Sequence, residues 1–395
     1  MCRRQQESKR RESDGGGALS TYSETFRALR PTTDVVIVRR AHTDLRRGVR
    51  LALGAAVPLV LGVLLGHVEY GVFAALGALP AGFAATTVAR AKEHSAAVLL
   101  SAFGMAVASF AGAVLADRPW LVVAALASCA YAAGLCSAFS PRISIATLQW
   151  PVALLLATAT PSGPGGAALR AALVLAGGAW QALLTFLDTR HEQSYERNLR
   201  GGVADAVDAV AKRRKQLRRL GVPGAPLARS LRRIGATLHA GLDPRSAHGQ
   251  HVLRLAVVAT VTHSIAIMAG ISHGYWAALT AILVLKPEHA TTIRRSLDRI
   301  GGTAIGVLLG VVLAWIGAAG TLPLLLVATL ALVLAYAVFT ANYFVFCVFL
   351  TGFVVLLLDL LGDGAAQTAV SRLAATALGG TIALAASHIR PREAA

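Results

Sequence analysis

The feature that most limits this chain is a series of apolar runs, each about 20 residues long, parted by short polar breaks. A helix of that length matches the ~30 Å hydrocarbon thickness of a bilayer, and in lipid each backbone N–H and C=O must be paired within its own segment. The runs lie at 50–66, 70–89, 95–116, 120–139, 142–159 and 168–187, then at 252–270, 275–294, 300–318, 322–339, 342–359 and 369–388. Only a short turn near Asn342 divides the pair 322–339 and 342–359. Charged residues make up 15% of the chain, well under the roughly 25% of a soluble domain. The expected class is an all-α membrane protein with about twelve transmembrane helices.

Orientation follows from Lys and Arg, which favour cytoplasmic loops. The tail up to Arg50 holds 12 of them and the stretch 188–250 holds 13. With the N-terminus inside, short inner loops add Arg90, Lys92, Arg142, Arg294, Arg295 and Arg299, while outer positions hold only Arg118, Arg170 and Arg372. Both termini and the central linker are therefore expected to be cytoplasmic, and most of the net charge of +18 is a topology signal. This gives a basic tail at 1–48, partly disordered around Gly15-Gly16-Gly17, and a first six-helix unit at 49–187. A basic helical linker follows at 188–250, then a second six-helix unit at 251–388 and a short tail at 389–395.

In the linker, Lys212-Arg213-Arg214-Lys215, Arg218-Arg219 and Arg232-Arg233 suit a surface of anionic lipid. Nucleic acid is not expected, because these runs lack interleaved aromatics and a recognisable module. The four cysteines show neither metal-ligand nor disulfide spacing, and no cofactor or metal is expected. No nucleotide-binding glycine loop or Ser/His/Asp constellation points to an enzyme.

The two halves resemble each other. Val49-Arg50-Leu51-Ala52 matches Leu253-Arg254-Leu255-Ala256, and Gly66 matches Gly270. The stretch from Tyr70 to Leu76 resembles Tyr275 to Leu279, and Ala85 to Arg90 resembles Ala290 to Arg295. Arg170 and Gly177-Gly178 match Arg372 and Gly379-Gly380, with the offset held between 202 and 205 throughout. Six spans per copy is an even number, so both copies would cross the membrane in the same sense, as a parallel repeat.

One run interrupts this pattern with charge. After Tyr275-Trp276 and an apolar stretch come Lys286, Pro287, Glu288 and His289. If the span has the geometry of its partner Tyr70 to Arg90, Lys286 is expected roughly 16 Å below the outer interface, near the midplane. Ionisable groups at that depth mark a pathway. Pro287 removes an N–H and is expected to break the helix, and Pro80 and Gly82 interrupt the first copy in the corresponding region. On this reading Lys286, with Tyr275, Trp276 and Thr280, holds an anionic ligand, and Glu288, His289 and His263 carry protons. The alternative ends the span at Leu285, leaves the cluster at the cytoplasmic surface and pairs Glu288 with Arg295. His263 and Gln149-Trp150-Pro151 each admit a plainer role, as a core histidine and as a kink with an interhelix hydrogen bond.

The run YWAALTAILVLKPEHATTIRRSLDRIGGTAIG, from Tyr275, resembles the signature of the fusaric acid resistance family, bacterial inner-membrane proteins related to aromatic acid exporters. The matching positions are Tyr275-Trp276-Ala277, Leu279-Thr280, Pro287, Thr291 or Thr292, Arg299, Gly302-Thr303 and Gly306. The first copy lacks the Trp and the Gly-Thr pair, and the linker is shorter than the cytoplasmic domains that family members often carry. The resemblance implies proton-driven efflux of organic, often aromatic, carboxylic acids across the inner membrane, in a chain compatible with a homo-oligomer. A passive anion channel on the same fold and a non-transporting membrane scaffold whose basic linker recruits a partner are the competing expectations.

Overall fold

The computed structural model describes residues 45–85, 91–139, 141–200, 235–317, 320–362 and 364–389. The N-terminal tail and the basic runs at 212–215, 218–219 and 232–233, with the expected lipid contact, lie outside the described residues. Among the described residues all regular structure is helical. The first half contains α1 (Leu45–Leu64), α2 (Val68–Ala85), α3 (Ala91–Leu115), α4 (Pro119–Ser137), α5 (Pro141–Thr147), α6 (Gln149–Thr158) and α7 (Pro164–Arg200). The second contains α8 (Ala247–Met268), α9 (Tyr275–Val284), α10 (His289–Gly317), α11 (Thr321–Val338), α12 (Tyr343–Leu360) and α13 (Ala365–Ser387). Nine helices among the described residues are long and apolar enough to cross a membrane, and Val68–Phe83, Ile143–Thr158 and Tyr275–Val284 are shorter apolar stretches.

The polar punctuation acts locally. Gly66 and Gly270 adopt positive φ, 73° and 63°, a region open to glycine at little cost, and turn the chain after α1 and after α8. Asn342 caps α12 by accepting the Val345 N–H at 3.0 Å, so the turn between α11 and α12 falls where the sequence placed it. The run 142–159 is two helices that meet at Leu148, with Thr147 donating to the Ala133 carbonyl of α4 at 3.3 Å. The interhelix hydrogen bond expected at Trp150 is not made. Its buried indole Nε1 has no partner, and the ring fills a notch over Gly104.

The expected division of the signature region needs correction. In place of spans at 275–294 and 300–318, α9 stops after 10 residues and α10 runs unbroken for 29. Pro287 explains the first half of this, since it cannot continue the hydrogen-bond ladder. The pair Gly301-Gly302 does not interrupt α10, because both lie against α12: a Cβ on Gly302 would sit 2.6 Å from the Cys347 Cβ, and one on Gly306 would strike the Val348 carbonyl. Close backbone approach at small residues is a usual basis for helix packing in lipid.

The helices pair in a reciprocal pattern. α1 packs on α11, and α8 packs on α4. Within the first half α7 packs on α2 and α3, and within the second α13 packs on α9 and α10. Glycine permits two of these contacts at matching places: an added Cβ on Gly177 would strike the Ala74 carbonyl, and one on Gly379 the Ala277 carbonyl.

Candidate functional site

The break between α9 and α10 is held by a small set of polar contacts. The Lys286 N–H donates to the Thr292 hydroxyl at 3.0 Å, and that hydroxyl lies 3.1 Å from the Glu288 carbonyl. The exposed Glu288 side chain stands just before α10, where a carboxylate suits the helix N-terminus, and accepts from Thr291 at 2.9 Å. Arg254 of α8 reaches the carbonyls of Lys286 and Pro287 at 3.3 and 3.4 Å, and that of Ile389 at 3.3 Å. His289 Nδ1 lies 2.7 Å from the Ser387 hydroxyl, with its ring 4.4 Å from that of His388.

These contacts place the break beside the last residues of α13. Because α13 has membrane length and Ser387 is its final residue, Lys286, Glu288 and His289 lie at an end of the helix bundle. The expected midplane depth of Lys286 is thereby corrected. That depth assumed that Tyr275 marks the outer interface, whereas Trp276 stacks on Arg372, seven residues inside α13 or about 10 Å along its axis. The Glu288–Arg295 pair of the alternative reading is not seen either, since Arg295 lies over the Tyr343 ring at 4.8 Å. Burial first, and then the neighbouring Arg295 charge, push the Lys286 ammonium down to about 8.

His263 does not join this group. It is nine residues beyond Arg254 on α8, about 13 Å of rise, and is buried with no partner at Nδ1. Among the described residues no cluster of His, Cys, Asp and Glu could hold a metal ion.

A second arrangement lies within the bundle. The Arg372 guanidinium sits 3.8 Å from the Trp276 ring centroid, is 1% exposed, and has no hydrogen-bond partner at Nε or Nη1. Arg299 on α10 is 3% exposed, has no partner at Nε, and meets only the neutral Cys347 Sγ at 3.8 Å and the Tyr343 hydroxyl. Two described acids near them in sequence are engaged elsewhere: Asp298 faces Arg294 and Arg295, and Asp359 accepts the Ala365 N–H at 3.0 Å, while Asp363 lies outside the described residues. Arg299 lies close enough to Arg372 for the two charges to repel.

Buried hydroxyls fill the faces between these two charges. On α10, Thr292, Ser296, Arg299 and Thr303 follow one another at spacings of four, three and four, and on α13 Thr368, Arg372 and Thr376 at spacings of four. Such spacings put each set on one helix face. Thr280 of α9 packs where a Cβ on Gly379 would stand, and the hydroxyls of Ser296, Thr303 and Thr368 have no partner. Buried polar groups left unpaired in this way cost about 1–3 kcal/mol each, and here several of them stand on the helix faces that carry the two buried cations. The count of Lys and Arg puts Arg372 at an outer position and Arg299, which the motif also contains, in an inner loop. The signal it passed over was this polar spacing on helices otherwise apolar.

Comparison with known proteins bears on the same region. The profile of the family described as Fusaric acid resistance protein-like matches residues 256–386. The fusaric acid resistance-like segment holds α9, α10, α12 and most of α13, and with them Trp276, Arg299 and Arg372. The chain is also 34% identical over 151 residues to the inner membrane protein YccS of Escherichia coli, a match covering 38% of this chain and 20% of that protein. An uncharacterized protein of Synechocystis is 33% identical over 173 residues, covering 40% of this chain and 21% of its own. One of Haemophilus influenzae is 31% identical over 162 residues, covering 41% and 22%. The matches thus span about a fifth of the length of these curated relatives. No solved structure matches. The chain is a multi-pass membrane protein carrying a fusaric acid resistance-like segment.

Proposed function

We propose that this protein is an inner-membrane efflux transporter of small organic anions, chiefly aromatic carboxylates, driven by protons. The observation that carries the reading is Arg372: a guanidinium out of water, lying on an indole, with two nitrogens unpaired and, among the described residues, no acid acting on it. A carboxylate supplies what this group lacks, and charge-assisted hydrogen bonds to Arg are among the stronger ones available in a protein. An aromatic body suits the neighbourhood of the Tyr275–Trp276 ring pair, and Thr280, which packs against Gly379, lies one turn further along α9. The family of residues 256–386 and the inner-membrane relative in Escherichia coli are in keeping with this function and location.

In this scheme the molecule is two six-span units in parallel, with both termini and the linker in the cytoplasm. The exchange of α1 and α8 onto the fourth span of the opposite half supports that arrangement, as do Gly177 and Gly379 at matching contacts. Arg170 over the Phe73 ring at 5.0 Å repeats the Arg372–Trp276 stack at an offset of 202 to 203 residues. Arg170 donates to the Thr160 carbonyl, so the second unit alone keeps its cation unoccupied. Lys286 draws anions to the cytoplasmic mouth, Glu288 and His289 exchange protons there, and His263 does so within α8.

The test is uptake of radiolabelled benzoate, salicylate and a cationic control into proteoliposomes, with and without a pH gradient. Gradient-dependent movement of the acids that is lost in Arg372→Gln is expected. Absence of anion movement by the wild type, or equal movement by the variant, would reject the proposal, and equal flux without a gradient would make the protein a passive conductor.

A further inference from the structure

We infer that Arg299 is a second anion-binding station, nearer the Lys286 end, on a path that runs between α9, α10, α12 and α13 to Arg372. The inference rests on the anion-transport reading above and adds a residue, a location and a route to it. Arg299 is buried, cationic and lacks a carboxylate partner. It is flanked on its own helix face by Ser296 and Thr303, whose hydroxyls are buried and unpaired. Arg299 is one residue from Ile300, which packs over Gly380, eight residues along α13 from Arg372, so the two cations stand at different heights while still close enough to repel. Two stations of like charge, separated along the membrane normal, allow an anion to leave the first as it is drawn to the second. Thr292 continues the same face of α10 down to the backbone of Lys286, so the polar stripe is continuous from the break to the first station.

The chain carries its own reporter, since the Cys347 thiol lies 3.8 Å from the Arg299 guanidinium and is fully buried. The experiment replaces Cys2, Cys129 and Cys136 by Ser and leaves Cys347 as the single thiol. A sulfonate-bearing and a trimethylammonium-bearing methanethiosulfonate are then applied to the protein in vesicles. The guanidinium attracts the anionic reagent and repels the cationic one, so the anionic reagent should react faster by at least about tenfold. Benzoate should slow that reaction, and Arg299→Gln should abolish the preference while Arg299→Lys retains it. An unreactive Cys347, or equal rates with both reagents, would overturn the inference. Because this readout is labelling and not flux, anion transport with an inert Cys347 would remove Arg299 and leave the transport reading standing. Charge-selective labelling without transport would do the reverse.

Discussion

Replacing Arg372 with Met separates a ligand-binding arginine from a structural one, because the two roles predict opposite changes in stability. The methionine keeps an unbranched apolar stem of similar reach and removes the charge. The guanidinium is 1% exposed, and among the described residues no acid acts on it. The desolvation penalty for a buried ion remains several kcal/mol after relaxation, while a desolvated stack on an indole returns about 2 kcal/mol. The balance favours the variant, by about 1–4 kcal/mol if it follows other replacements of buried charges by apolar side chains. Binding should move the other way. Losing a charge-assisted hydrogen bond removes about 1.5–3 kcal/mol, or about 10- to 150-fold in affinity at 1.4 kcal/mol per decade. The assay is thermal unfolding in detergent with increasing benzoate. The expected result is a higher Tm without ligand and a ligand-induced shift that is small or absent. A lower Tm with an unchanged benzoate shift would refute the reasoning, showing that Arg372 holds helices together and contacts no ligand.

Further expectations follow from the break and the packing. Lys286 has its pKa depressed from 10.5 to about 8, so its protonation costs the folded state, and its contribution to stability should improve as pH rises from about 8 to 10.5. Over the same rise its ammonium is lost, so the apparent KM for an anion should increase above pH 8 in the wild type and stay flat in Lys286→Arg, measured by initial rates in vesicles. Thr292→Val removes the hydroxyl that receives the Lys286 N–H and should destabilise the protein by about 1–3 kcal/mol, read as a fall in Tm. Gly379→Val drives a side chain into the Ala277 carbonyl, and overpacking of about 1–3 kcal/mol should appear as reduced yield of folded protein by size-exclusion chromatography. Asn342→Ala removes the α12 cap and should cost about 1 kcal/mol, again read by Tm.

Much of the helical layout could be read from the residues, because span length is dictated by the bilayer and Asn342, Gly66 and Gly270 mark turns by chemistry that acts locally. The interruption at Pro287 was equally readable, since a missing N–H has the same effect in any context. Depth was not. Placing Lys286 required knowing which residue meets the interface, and the aromatic pair Tyr275-Trp276 looks the same whether it anchors in headgroups or stacks on a buried arginine. Arg299 and Arg372 were misjudged for a related reason. A count of Lys and Arg treats every cation near the end of an apolar run as a loop residue, yet their spacing with Thr292, Ser296, Thr303, Thr368 and Thr376 put them on buried faces. Trp276 and Thr280, chosen from the motif, lie beside α13, whereas Glu288 is exposed and His263 stands apart on α8.

The seating of α1 on α11 and of α8 on α4 makes the two halves hostages of one another. Each would leave a notched flank bare if its counterpart were absent, as at Gly48 against the Val333 carbonyl and Gly134 against Val252. The tie between them is therefore mechanical interlock as much as polypeptide continuity. A protease cut between 201 and 234 would sever the chain and still leave one membrane-embedded body, whereas either half made alone would offer its vacant flank to lipid or to a second copy of itself.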